Sequence, residues 1–426
     1  MSKVLKRRWE GEVASGLPRQ DRASCDYEVY VPDPLIGRLV RLEGEVAADV
    51  SDAEAAIARF DTNAAALADT EALARLLLRA ESVASSKIEG LEVGGRRLLH
   101  AEAARALGEE TADVTATEVL GNIQAMSWAL QAVGPGDDIT LETLLEAHRR
   151  LMAGTRFETM GGEVRTDQNW IGGSSYNPCS AAFVPPPPER VPEFLDDLSG
   201  FCSTDSLPAV MQAALAHAQF ETIHPFVDGN GRIGRALIHL VLRRRGLTVR
   251  VLPPISLALA TWSRDYIAGL TATRYVGSPR SEAAIEGMNR WIGLFATACR
   301  RAVADAEGFE VQVRSLQREW RERLGSIRHG STADLLITAL PGAPIVTVSG
   351  AADLVGRTFQ ASNEAISRLV DAGILTQVNV GRRNRAFEAP ELIRQFTDLE
   401  RRLASPTGDT RSSEPSRRVP KRSAAN

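Results

Sequence analysis

The segment His224-Pro-Phe-Val-Asp-Gly-Asn-Gly-Arg-Ile-Gly-Arg235 constrains this chain more than any other. Apolar residues return at helical spacing through 206–223 and again through 232–245. Pro225 has no N–H with which to continue the first helix, while Gly229 and Gly231 admit positive φ and a close backbone approach. The prediction is a helix, a short glycine-rich turn, and a second helix opening near Arg232. That helix carries an apolar stripe at Ile233, Ala236, Leu237, Leu240 and Val241, and it stops at Gly246. Consecutive N–H groups aimed along a helix N-terminus make an anion cradle. Arg232 and Arg235, three residues apart on one face, add two cations, so the segment describes a polyphosphate site. Asp228 offers the hard oxygen that Mg²⁺ takes when it already holds phosphate. His224, at the mouth of the cradle, can be neutral near pH 7 and accept a proton from an attacking hydroxyl. Phe226 reads as the apolar anchor of the loop. Neither a Walker GxxxxGK[ST] string nor a kinase-like glycine loop occurs.

The 426 residues exceed one ordinary core, which predicts two or three domains. A net charge of −4 gives no global signal for nucleic acid or membrane, and no stretch is long enough to span a bilayer. The N-terminus lacks the apolar core of a signal peptide, so a cytoplasmic protein with no membrane partner is expected. Cys25, Cys179, Cys202 and Cys299 form neither a pairing pattern nor a metal-ligand spacing, and reduced thiols are predicted. His100, His148, His217, His239 and His329 likewise lack metal spacing and read as structural.

Helical spacing also runs through 35–48, 65–89, 115–132, 140–153 and 285–306. Strand signals are confined to 168–184, closed by the stiff run Pro185 to Pro188, and to a pair within 376–387. The predicted domains are a helical region 1–110, a main domain 111–306, a charged helical connector 307–330 and a small module 331–395. The tail 404–426, rich in Ser, Pro and Arg, is expected to be disordered.

Within the first region, 70–89 predicts an amphipathic helix with Leu73, Leu76, Leu77, Ala80 and Ala84 on one side and Asp69 as its cap. It ends Ser85-Ser-Lys-Ile-Glu89, then Gly90. A glutamate in a last turn opposes the helix dipole at about 0.3–1 kcal/mol unless a cation compensates. Lys87, two residues away, cannot face it.

With these residues in view, His224–Arg235 matches at every fixed position the signature HPFx[DE]GNGRxxR, and the chain resembles the Fic family of protein adenylyltransferases over about 30–300. Ala216–Ile223 is similar to the helix leading into that motif. Arg165, Asn169-Trp-Ile-Gly-Gly173 and Phe183-Val-Pro-Pro186 resemble the family's flap, a β-hairpin that clamps the target segment. The resemblance implies a mainly α Fic-type domain with a small flap at Trp170, Ile171, Gly172 and Gly173. It implies AMP transfer from ATP to a Tyr, Thr or Ser hydroxyl of a protein. His224 would be the base, Asp228 the Mg²⁺ ligand, and the backbone of Gly229–Gly231 with the Asn230 side chain the α- and β-phosphate contacts. Arg232 would meet the β-phosphate and Arg235 the γ-phosphate. Glycine rather than lysine at 231 favours AMP transfer over the phosphate transfer of the related Doc proteins. Ser85-x-x-x-Glu89-Gly90 resembles the family's inhibitory motif [ST]xxxE[GN] in its class II arrangement, which implies that Glu89 pairs with Arg235 and excludes the γ-phosphate. The resemblance also leaves room for automodification, for AMP removal and for a homodimer.

Residues 331–395 suggest a winged helix: helices at 333–340, 349–356 and 361–372, then strands around a turn with Arg382, Arg383 and Arg385. A basic wing could touch phosphates, but the third helix presents Glu364, Arg368 and Asp371 rather than a basic face, so DNA binding and protein docking both stay open. The competing readings are a nucleotide-sensing transcription regulator built on the same fold, and transfer of UMP or phosphocholine instead of AMP.

Overall fold

The computed structural model describes residues 1–11, 21–64, 70–109, 113–380 and 384–403. The expected cap Asp69, the wing residues Arg382 and Arg383, and the tail 404–426 lie outside them.

The chain opens with an antiparallel hairpin, β1 (Lys3–Trp9) and β2 (Cys25–Val31), registered from Lys3↔Val31 to Trp9↔Cys25. The sequence reading placed no strand here. The alternation Tyr27, Val29, Val31 is short and β1 is mostly charged, so the pairing depends on what the hairpin docks against: Tyr30 N–H donates to Val184 O at 3.0 Å. Of the helix expected over 35–48 only residues 44–48 are helical, as the start of α1 (Gly44–Ala64), and residues 32–43 run irregularly into it. Pro32 and Pro34 lack N–H donors, and Asp197 takes up the N–H groups of Leu35 and Ile36 at 2.6 and 3.1 Å.

The helical body continues with α2 (Thr70–Ile88), α3 (Gly95–Ala106), α4 (Val114–Ala132), α5 (Leu141–Met152) and α6 (Val191–Cys202). Asp113 and Thr140 cap α4 and α5 through the N–H groups of Ala116 and Thr143. Next come α7 (Ala209–Ile223), α8 (Asn230–Arg244), α9 (Ile255–Thr261) and α10 (Ser263–Ala272). Every residue of α7 is buried. It is the central helix, which is why its sequence is apolar all round rather than striped. The predicted domain end at 306 and connector from 307 merge into one helix, α11 (Glu282–Leu324), of 43 residues.

The C-terminal unit comprises α12 (Thr332–Ala339), β3 (Ile345–Val346), α13 (Val348–Val355), α14 (Phe359–Asp371), β4 (Thr376–Val380), β5 (Asn384–Glu388) and α15 (Pro390–Leu403), with strand order β3-β5-β4. β3 and α15 were not foreseen, and α15 runs past the expected boundary at 395.

Two cores meet at α2. Leu73 and Leu77 belong to the main core with α7, α8 and the first half of α11. Leu76, Ala80 and Ala84 join the second core, with Phe309, Leu316 and Trp320 of α11 and Leu336, Ile366, Phe387 and Phe396 of the C-terminal unit. Arg96 and His100 of α3 also reach Glu388 of β5, at 2.8 and 3.2 Å. The C-terminal unit is thus packed against the back of α2.

Candidate active site

The two helices of the motif are joined by a loop that is held from several sides. His224 closes α7 in the left-handed region, with φ 49° and ψ 62°, and is the only non-glycine at positive φ among the described residues. That conformation costs about 1–2 kcal/mol for an L-residue, so neighbouring groups must enforce it. Arg165 does so with main-chain carbonyls: its Nε donates to His224 O at 2.9 Å and its Nη2 to Pro186 O at 2.6 Å, while its own N–H donates to Pro225 O at 2.9 Å. Asn169 adds Nδ2 donation to His224 O and Phe226 O at 3.2 and 3.1 Å. Phe226 is fully buried, and its ring stacks on His148 with centroids 3.7 Å apart. His148 accepts from Gly162 N–H at Nδ1 and faces Asp228 O with Nε2, each at 3.0 Å, a pattern that assigns its proton to Nε2. Burial, the leading cause, pushes its pKa down to about 4.

Asn230 holds its own loop. Its Oδ1 accepts from Phe226 N–H and its Nδ2 donates to Phe226 O, both at 2.8 Å. The side chain closes the loop, a contact that the sequence reading did not foresee. Gly229 takes φ 77°, and a Cβ there would lie 2.8 Å from Leu151 and Met152. Gly231 is required for another reason: a Cβ there would lie 2.0 Å from Glu89 Oε1. The Glu89 carboxylate therefore rests over the first turn of α8, where the helix dipole favours an anion.

Arg235 is 1% exposed and committed to α2. Its Nε donates to Ser85 Oγ at 2.9 Å, and its Nη2 to Ser85 O at 2.7 Å and Glu89 Oε1 at 2.8 Å. Glu89 lies just past the last residue of α2, in the turn that leads to Gly90 (φ 82°). Burial would raise the Glu89 pKa, but the charge and hydrogen bond of Arg235, with Arg232 beyond, hold it below the usual carboxylate value. Asp228 Oδ2 accepts from Arg232 Nη2 at 2.9 Å. Arg232 is 3% exposed, yet its Nε and Nη1 lack hydrogen-bond partners, so this cation has donors to spare for an anionic ligand.

The His224 ring stands beside Arg165 and Asn169. Burial, then the charge of Arg165, pushes its pKa down to about 3, which leaves it neutral at pH 7. Asn169 Nδ2 lies 3.1 Å from His224 Nδ1, and among the described residues Nε2 has no hydrogen-bond partner. Behind Arg235 lies a buried set that sequence reasoning missed. His217 Nε2 meets Tyr266 Oη at 2.9 Å, and burial raises Glu221 to about 7. Glu221, a lone carboxylate inside the buried α7, carries no signal of its own, while Asn169 reads only as part of the flap and His148 only as structural.

The flap differs from its expectation. It is not a hairpin of two strands: a single bridge joins Ile171 and Phe183, with Ile171 N–H donating to Phe183 O at 2.8 Å. Gly172 and Gly173 take φ 74° and 76°, and a Cβ at 173 would lie 2.3 Å from Ser180 O. Trp170 donates its Nε1–H to Ser174 O and meets Trp9 edge-on at 5.9 Å. The expectation of reduced thiols is corrected for two cysteines: Cys25 of β2 and Cys179 of the flap form a disulfide, whereas Cys202 and Cys299 are free and buried. A separation of 154 residues hid the pairing, because only the docking of the hairpin brings the two together.

Asp228 is a single, 42% exposed carboxylate, and among the described residues no group of three or more His, Cys, Asp or Glu could hold a metal. That donor set fits an ion carried mostly by substrate phosphates and not a cage built by the protein. Among the described residues no helix is long and apolar enough to cross a membrane.

Two helices joined by a glycine-rich loop, with a histidine at its mouth, define the site. Residues 138–242 match the Fic/DOC family and residues 47–131 match its N-terminal region. The protein adenylyltransferase fic-1 of Caenorhabditis elegans is 32% identical over 173 residues, 38% of this chain and 30% of that protein. The protein adenylyltransferase Fic of Drosophila virilis is 35% identical over 139 residues, 32% of this chain and 27% of that protein. The chain thus spans about a third or less of the length of these curated relatives. A solved Fic family protein from Desulfovibrio desulfuricans shares the fold with a TM-score of 0.51 at 19% identity, covering 82% of this chain and 97% of that one.

Proposed function

We propose that this chain is a protein adenylyltransferase that moves AMP from ATP to a hydroxyl side chain of a protein and is restrained by its own α2. The observation that carries the reading is the neutral His224 beside an α8 N-terminus whose Arg232 has unpartnered donors. His224 Nε2 takes the proton of the target hydroxyl as its oxygen attacks the α-phosphorus. The bond from that phosphorus to the bridging oxygen breaks, and pyrophosphate leaves with the electron pair. The α8 N-terminus and Arg232 neutralise the charge that gathers on the phosphate oxygens. Mg²⁺, held by Asp228 together with the phosphates, would supply further charge neutralisation. Arg235 serves the γ-phosphate once Glu89 leaves it.

The relatives named protein adenylyltransferase support the class of reaction, and the Glu89–Arg235 pair supports the restraint. In this reading residues 1–110 supply the restraint, 111–306 the catalytic domain and 331–395 a winged helix that docks protein or DNA. The flap residues Trp170–Gly173 position the target, and the protein works as a homodimer. The Cys25–Cys179 bond favours an oxidising compartment over the cytoplasm expected from sequence.

The test is incubation of wild type, Glu89→Gly and Glu89→Gly/His224→Ala with Mg²⁺ and α-labelled ATP. Label on protein is expected with Glu89→Gly, weak in wild type and absent from the double variant. A folded, ATP-binding Glu89→Gly protein that transfers no label would overturn the reading and leave the nucleotide-sensing regulator.

A further inference from the structure

α2 and α8 meet along a ladder of polar contacts that climbs both helices in steps of four. The rungs are Glu81 and Ser85 of α2 and Glu89 in the turn directly after it; facing them on α8 are His239, Arg235 and Gly231. Four-residue spacing stacks each set on one face of its helix, and the reversed numbering shows that the helices run antiparallel. The lower two rungs are the Ser85 and Glu89 contacts with Arg235 and Gly231. The upper rung is separate from them: Glu81 Oε1 and His239 Nε2 lie 2.9 Å apart with both side chains 0% exposed, a close polar contact in which His239 Nε2 makes no hydrogen bond of good geometry.

Further ties converge on the same turn. Ser256 of α9 donates its N–H to Glu81 Oε2 at 2.8 Å and its hydroxyl to Glu81 Oε1. From α4, Asn122 Nδ2 donates to Ser82 O at 2.8 Å and to Ser86 Oγ at 3.1 Å. A carboxylate buried this deeply is weak evidence for stability, because apolar residues of equal volume often serve as well. What a buried polar contact supplies is register, since any slip leaves its groups unpaired. A slip of one residue would turn Glu89 by about 100° away from α8.

We propose that Glu81 and His239 are positioning residues that fix the register of α2 on α8 and so deliver Glu89 to Arg235. The inference rests on the reading that Glu89 restrains transfer. Neither residue touches the phosphate cradle, so each acts through the placement of α2.

The experiment measures label from α-labelled ATP for wild type, Glu81→Gln, Glu89→Gly and Glu81→Gln/Glu89→Gly, with amide hydrogen exchange across residues 82–89. Glu81→Gln should raise label about three- to tenfold and speed exchange in the last two turns of α2. The double variant should label as Glu89→Gly does, because the register no longer matters once the carboxylate is gone. His239→Gln, which keeps a polar group within reach of Glu81, should keep more of the restraint than His239→Leu. Unchanged label and exchange in Glu81→Gln, beside a strongly labelling Glu89→Gly, would overturn the proposal. So would a double variant that falls well below Glu89→Gly, which marks a merely structural role. If Glu89→Gly itself transfers no label, the transferase reading fails, and the exchange measurement alone decides the register of α2.

Discussion

Glu89 Oε1 accepts a 2.8 Å hydrogen bond from Arg235 Nη2, joining residues 146 positions apart in the chain. The same oxygen lies where a Cβ on residue 231 would have to go. One carboxylate therefore occupies both Arg235 and the α8 N-terminus, which the proposed reading assigns to an incoming polyphosphate, and its removal frees both at once. A charge-assisted bond of this kind contributes about 1.5–3 kcal/mol, enough for a tenfold or larger change in ATP affinity.

Gly231→Ala separates the two halves of that arrangement. The added methyl would sit 2.0 Å from Glu89 Oε1 and must displace it, but it also fills the cradle. ATP affinity measured by calorimetry should fall in a Glu89→Gly/Gly231→Ala protein relative to Glu89→Gly, by about tenfold or more. Equal affinities would show that ligand does not approach the first turn of α8.

Asn169→Ala should slow transfer more than it weakens ATP binding. Asn169 holds the His224 and Phe226 carbonyls and lies 3.1 Å from His224 Nδ1, but it is not part of the anion cradle. In the Glu89→Gly background a kcat lower by about ten- to a hundredfold, with the ATP KM within a few-fold, is the expected result. A change confined to KM would remove Asn169 from the positioning of the base.

The buried titrating groups make stability depend on pH. Burial lowers His148 to about 4 and His217 and His224 to about 3, so between these values and 6.5 the unfolded chain binds protons that the folded chain does not. Each therefore costs up to about 1.4 kcal/mol per pH unit as pH falls from 6.5 toward the folded value. Glu221, raised to about 7, works in the opposite sense: its contribution is present below 4.5 and is lost as pH rises through 7. Three groups outweigh one, and the melting temperature should drop steadily from pH 6.5 to 4.5. A flat profile over that range would contradict the burial of the three imidazoles.

Leu336→Ala tests the contact between the C-terminal unit and α2. Leu336 is 0% exposed in the core that also holds Leu76, Ala80 and Ala84. The cavity should cost about 2–5 kcal/mol, read as a lower denaturant midpoint. Faster hydrogen exchange in α2 should accompany it. Exchange changes confined to the C-terminal unit would mean that the unit does not brace α2.

The local pieces of the site were legible in the sequence because they depend on neighbours along the chain. Pro225, Gly229 and Gly231 dictated a tight turn between two helices, and the four-residue spacing of Ser85 and Glu89 put both on one face of α2. The same locality misled elsewhere. Apolar spacing at 35–48 resembles a helix until Pro32, Pro34 and the Asp197 carboxylate are weighed together, and the residues that pull that segment straight lie far along the chain. Only tertiary structure could commit Asn230 to the Phe226 backbone, join Cys25 to Cys179, pair β1 with β2, and set Glu81 against His239. Each of these is a contact between segments whose approach is decided by how whole helices pack. Periodicity specifies which face of a helix is buried, and packing alone decides what that face meets.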